Sequence, residues 1–137
     1  YFGMAMEGAL KLKELAYVHA EGFAGGELKH GPIALVEKDM LIVAIAPQGE
    51  AELHKKSLAN VEEVKARRGT ILGIGTDGDS QFSNLASDFI GLPEIKSAAL
   101  NPLLALIPLQ LIAYHISIAK GCDVDQPRNL AKSVTVE

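Results

Sequence analysis

The chain is poor in cysteine, in positive charge and in repetition, and each shortage narrows what it can be. Its 137 residues include one cysteine, Cys122, which excludes an intrachain disulfide and a zinc site built on several thiolates. Lys and Arg number 13 against 17 Asp and Glu, a net charge of −4. No basic excess is available to grip nucleic-acid phosphates or an anionic membrane. No internal repeat or low-complexity linker divides the chain, so one domain is expected, near the common size of ~100–150 residues. The four histidines, His19, His30, His54 and His115, form no i, i+4 pair of the kind that holds zinc on a helix, so neither a metal nor a cofactor is expected. The chain opens on Tyr1, and nothing ahead of its first helical stretch reads as a signal peptide. The expectation is a piece of a longer protein.

Charge is also missing from residues 97–119, 23 consecutive positions. Such a run is long enough to raise a membrane span. Asn101, Pro102, Pro108, Gln110, Tyr114 and His115 interrupt it with polar groups and helix breakers, which favours a helix packed on a sheet, kinked or divided at Pro108.

What is present alternates between helical and extended periods. Residues 4–20 read as a helix. Residues 21–39, broken by Gly22, Gly25, Gly26, Gly31 and Pro32, read as loop and short helical turns. Leu41 to Ala46 is a buried strand, Glu50 to Arg68 a charged helix with Gly69 as its C′ residue, and Thr70 to Gly75 and Asp88 to Leu92 two more strands. A long helix over 98–120 ends at Gly121. The order predicts an α/β fold, a three-layer α/β/α sandwich on a parallel sheet. It starts with a helix where such folds start with a strand, so a first strand is expected to be missing. The domain is drawn as 1–121, and 122–137 as a polar tail.

Few groups could carry chemistry. Glu7, Lys11 and Glu14 fall at i, i+4 and i+7, on one helix face. They form either a solvated ion-paired surface or, half-buried, a proton shuttle. His30 lies in a glycine-rich loop, Gly25-Gly26-Glu27-Leu28-Lys29-His30-Gly31-Pro32, where an imidazole can move protons. Lys132 in the tail is either an exposed lysine or one able to form a Schiff base. Gly73-Ile74-Gly75-Thr76-Asp77-Gly78 matches G-x-G-x-x-G letter for letter. Its glycines begin inside a strand, acids stand where a pyrophosphate needs positive backbone ends, and no helix is expected to open at once, so a nucleotide site is not favoured.

Longer motifs are more telling. Glu7-Gly8-Ala9-Leu10-Lys11-Leu12-Lys13-Glu14, His19-Ala20-Glu21, Gly26-Glu27-Leu28-Lys29-His30-Gly31-Pro32 and the run from Asp125 to Glu137 resemble the C-terminal part of the glucosamine-6-phosphate synthase family, the isomerising glutamine–fructose-6-phosphate aminotransferases. The resemblance runs from end to end and is weakest over 48–96. It implies most of the second of two sugar isomerase (SIS) domains, of flavodoxin-like architecture, plus the catalytic tail. A glutaminase domain and a first SIS domain would be missing.

By that resemblance, Lys132 forms a Schiff base with ring-opened fructose 6-phosphate, and Ala131 beside it lines the substrate site. Glu14 moves the proton between C1 and C2. His30 serves ring opening in the neighbouring subunit of a homodimer, and Lys11 and Glu7 assist proton transfer. The product is glucosamine 6-phosphate and the location cytoplasmic. The family's Ser/Thr-rich phosphate loop has no counterpart here, since Ser80 and Ser83 are too sparse. Two other readings share the fold: a regulatory phosphosugar-binding module and a deglycase.

Overall fold

The computed structural model describes residues 1–97 and 99–130; Ala131 and Lys132 lie outside the described residues. Helix α1 is Phe2–Ala16, strand β1 Leu41–Ile45, helix α2 Ala51–Ala66, strand β2 Thr70–Thr76, helix α3 Ser80–Leu85, strand β3 Asp88–Leu92 and helix α4 Asn101–Ala119. Two 3-10 turns, Gly25–His30 and Pro32–Leu35, lie between α1 and β1. The strands are parallel in the order β1-β2-β3, with Leu41 opposite Thr70 and Leu72 opposite Asp88.

Strand alternation sorts the side chains into two cores. Ile42, Ala44, Ile71 and Phe89 join Leu58, Val61 and Val64 of α2 and Phe82 of α3. Val43, Ile45, Ile74 and Ile90 join Ala105 and Leu109 of α4 and Met4 of α1. The sheet is therefore the middle of three layers, α1 and α4 on one side and α2 and α3 on the other, as the pattern of periods predicts. The first 3-10 turn belongs to the α2 side. Its Leu28 packs into that core, and Lys29 Nζ lies 2.6 Å from Glu63 of α2.

Several expectations need correcting. Helix α1 stops at Ala16 rather than residue 20, because Tyr17 takes a left-handed conformation, φ 54°. The chain then folds back so tightly that a Cβ on Gly22 would stand 2.7 Å from the backbone nitrogen of Met6. After α2 the left-handed position is Arg68, φ 66°, and not Gly69. Gly69 is one residue further on, closing the helix by donating its N–H to Val64. Its lack of a side chain serves packing, since a Cβ there would be 2.8 Å from Ile42. Helix α4 does end at left-handed Gly121 as expected, φ 68°, with Cys122 N–H donating back to Ser117. It runs unbroken through buried Pro108 instead of dividing there.

Helix α3 is the element the sequence reading omits. Asp79 starts it, its Oδ1 accepting from Phe82 N–H at 3.0 Å. The G-x-G pair then finds a structural use. A Cβ on Gly73 would meet Phe89 at 2.9 Å, and one on Gly75 would meet Phe82 at 2.7 Å. The glycines admit two rings that stack edge to face at 5.3 Å.

Candidate functional site

Helix α1 presents the chemistry. It buries Gly8, Ala9 and Ala16, and its small residues let α4 come close: a Cβ on Gly8 would lie 2.9 Å from Leu109. That packing fixes the rotation of α1 and turns Glu7, Lys11 and Glu14 to one half-buried side. Lys11 Nζ donates to Glu14 Oε2 at 2.8 Å and lies 3.5 Å from Glu7 Oε1. The hydrogen bond to Glu14 holds the Lys11 ammonium above the ordinary lysine range, with the charges of Glu14 and Glu7 adding to it against partial desolvation. One ammonium thus bridges two carboxylates two helical turns apart, an arrangement in which a proton and a compensating charge are both at hand.

The end of the described chain returns to this helix. Arg128 N–H donates to Tyr17 Oη at 2.9 Å, and its guanidinium lies over the Tyr17 ring at 4.0 Å. Lys13, Glu14, Tyr17, Arg128, Asn129 and Leu130 line a cleft of about 340 Å³. Leu130, two positions before Lys132 in sequence, therefore shares a cleft with Glu14. Tyr17 is the site residue that sequence reasoning missed; its only signal was its place three residues after Glu14.

His30 stands apart. It ends the first 3-10 turn, is exposed, and belongs to the layer on the far side of the sheet from α1. Gly31 follows it with φ 149°, a backbone that favours glycine.

Two further features lie at the C-terminal ends of the strands. Pro47, Gln48, Thr76, Leu92, Lys96 and Asn101 help line a cleft of about 250 Å³, with Gln48 N–H donating to Thr76 Oγ1 at 2.8 Å. Below it, Asp79 Oδ2 lies 3.0 Å from His54 Nε2 of α2, with the carboxylate side chain 1% exposed and the imidazole 12%. The approach is close but poorly aligned, since Oδ2 and both ring nitrogens are buried without a hydrogen bond of good geometry.

Comparison with known proteins agrees with this arrangement. A glutamine–fructose-6-phosphate aminotransferase [isomerizing] of Chlorobaculum tepidum is 52% identical over 99% of this chain. One of Bacteroides thetaiotaomicron is 54% identical over the same share. In both cases the chain spans only 22% of the relative's own length. The solved C-terminal domain of glucosamine-fructose-6-phosphate aminotransferase from Francisella tularensis superposes with a TM-score of 0.83 at 46% identity, over 92% of this chain and 35% of that one. Residues 1–120 match the family model described as SIS domain. With its parallel sheet between helical layers and that match over most of its length, the chain belongs to the SIS domain family.

Proposed function

We propose that the chain supplies the proton-transfer and imine-forming groups of an isomerising glutamine–fructose-6-phosphate aminotransferase, making glucosamine 6-phosphate. The observation that carries this reading is the Lys11 bridge between Glu7 and Glu14, with residues 128–130 sharing a cleft with Glu14. In this reading the Lys132 amine adds to the carbonyl of ring-opened fructose 6-phosphate and water leaves. The imine draws electrons from C1, so Glu14 takes a C1 proton and returns it to C2. Lys11, held charged by its two carboxylates, offsets negative charge as it develops. The far-side position of His30 supports a role toward a neighbouring subunit in a homodimer rather than toward its own Glu14. The substrate phosphate and the ammonia would come from other domains of a longer, cytoplasmic polypeptide.

The test uses that longer polypeptide. Borohydride reduction in the presence of fructose 6-phosphate should leave a sugar adduct on Lys132. Glu14→Gln should still bind sugar yet lose on the order of 100-fold or more in turnover. Turnover that survives Glu14→Gln would place the base elsewhere, and a missing adduct would remove the role of Lys132. The isolated 137 residues should show no synthase activity, and rates near those of the longer polypeptide would overturn the division of labour.

A further inference from the structure

Helix α4 is dressed on the wrong side for a helix facing water. Leu103, Ile107, Leu111, Tyr114 and Ile118 are 42–54% exposed, and their spacing of 4, 4, 3 and 4 runs them in one stripe along the helix. No charged side chain interrupts it from Asn101 to Ala119. Helix α2, on the opposite layer, shows what a solvated face of this protein looks like: Glu52, Lys55, Lys56, Glu62 and Lys65 all point outward. Helix α1, beside α4 in the same layer, adds exposed Phe2, Met6 and Leu10 at i, i+4 and i+8. An apolar surface of this extent exceeds what a monomer leaves in water and marks a contact face. The 3.5-residue repeat from Ile107 to Ile118 is the one that seats a helix against another helix.

We propose that the α1/α4 layer is the docking face for a second sheet-and-helix unit of the same polypeptide. The inference rests on reading the chain as one part of a longer aminotransferase, and it names which surface meets the rest. Three observations select this occupant. The chain accounts for 35% of the solved Francisella domain, which leaves chain enough there for another unit of this size. The face carries no charge, which suits a permanent contact inside one polypeptide rather than a transient polar one. The Glu7–Lys11–Glu14 group lies on α1 within the same layer, so a unit seated on this face would bring its own groups to those carboxylates. A second copy of this chain on the same face is the competing occupant.

The experiment uses the intact two-unit context. In the Francisella domain, the part matched by this chain is exchanged for this chain, with Cys122→Ser removing the native thiol. Single substitutions Leu103→Cys, Ile107→Cys, Leu111→Cys and Ile118→Cys are then labelled with a maleimide, with Lys55→Cys on α2 as the exposed control. The same variants are labelled in the isolated chain, whose mass is measured by sedimentation. The α4 positions should label at least ~10-fold more slowly than Lys55→Cys in the chimera and at rates comparable to it in the isolated monomer. Equal labelling of α4 and control in the chimera would overturn the proposal. An isolated chain that sediments as a dimer with α4 already protected would overturn it in favour of a second copy. Labelling does not depend on turnover, so a protected face in an inactive chimera would count against the proposed chemistry alone.

Discussion

Replacing His54 with leucine should cost more stability than any change to the surface ion pairs. The side chain lies on α2 with its Nε2 3.0 Å from Asp79 Oδ2, and the carboxylate side chain is 1% exposed. Asp79 cannot turn away, because its other oxygen caps α3 through Phe82 N–H. Leucine fills similar space but leaves a buried carboxylate oxygen facing hydrocarbon. Stranding one member of such a pair costs about 3–5 kcal/mol, a large part of the ~5–15 kcal/mol that holds a domain together. Asp79→Asn keeps an oxygen for the cap and removes the charge, so it should cost about 1 kcal/mol. The double variant should regain much of the His54→Leu loss, because the stranded charge is gone. Urea denaturation at neutral pH, read by circular dichroism, gives the three values and closes a double-mutant cycle. A His54→Leu protein within 0.5 kcal/mol of wild type would refute the account, as would a double variant no more stable than that single one (threshold set by ordinary surface changes).

Three further outcomes are expected. Gly22→Ala should destabilise by about 1–3 kcal/mol in the same assay, since its methyl would stand 2.7 Å from the α1 backbone, which cannot swing aside like a side chain. Tyr17→Ala should free Arg128 from both its hydrogen bond and its ring, seen as faster amide exchange at Arg128 with α1 unchanged; unchanged exchange at Arg128 would show that the tail is held elsewhere. The hydrogen bond and charge of Lys29, with Arg67 adding less, depress the Glu63 carboxyl. Its contribution is therefore present above the ordinary glutamate range and fades as pH falls through the lowered value. Exchange in the Gly25–His30 turn should rise with acid in wild type and be pH-independent in Lys29→Met.

The parts of the fold set by period and by glycine placement were legible from residues alone. The apolar run Leu41 to Ala46, the strand at Thr70 and the stop at Gly121 each depend on neighbours within a few positions. Helix α3 was not legible, because Asp77-Gly78-Asp79-Ser80 reads as a turn until Phe82 finds its slot above Gly73 and Gly75. Arg68 shows the opposite failure: glycine was the better guess for a left-handed residue, but Gly69 was already required by the approach of Ile42 and Val64. In the candidate site, Glu7, Lys11 and Glu14 followed from spacing. The meeting of Tyr17 with Arg128 spans 111 residues, and no local pattern announces a contact that distant.

The docking of α1 on α4 also has a consequence for synthesis. Helix α1 leaves the ribosome early, yet the partner that covers its buried Gly8 and Ala9 begins only at Asn101. At ~5–20 residues per second, the helix bearing Glu7 and Glu14 waits on the order of 4–17 seconds for the other wall of its groove. During that interval its apolar face is open to whatever is nearby. The strands β1 to β3 and helix α2 lie wholly within the intervening stretch and have the means to pair first. The helix carrying the acids would then dock last onto a preformed sheet, so a stalled or shortened chain that lost α4 would keep its sheet while losing the geometry of its carboxylates.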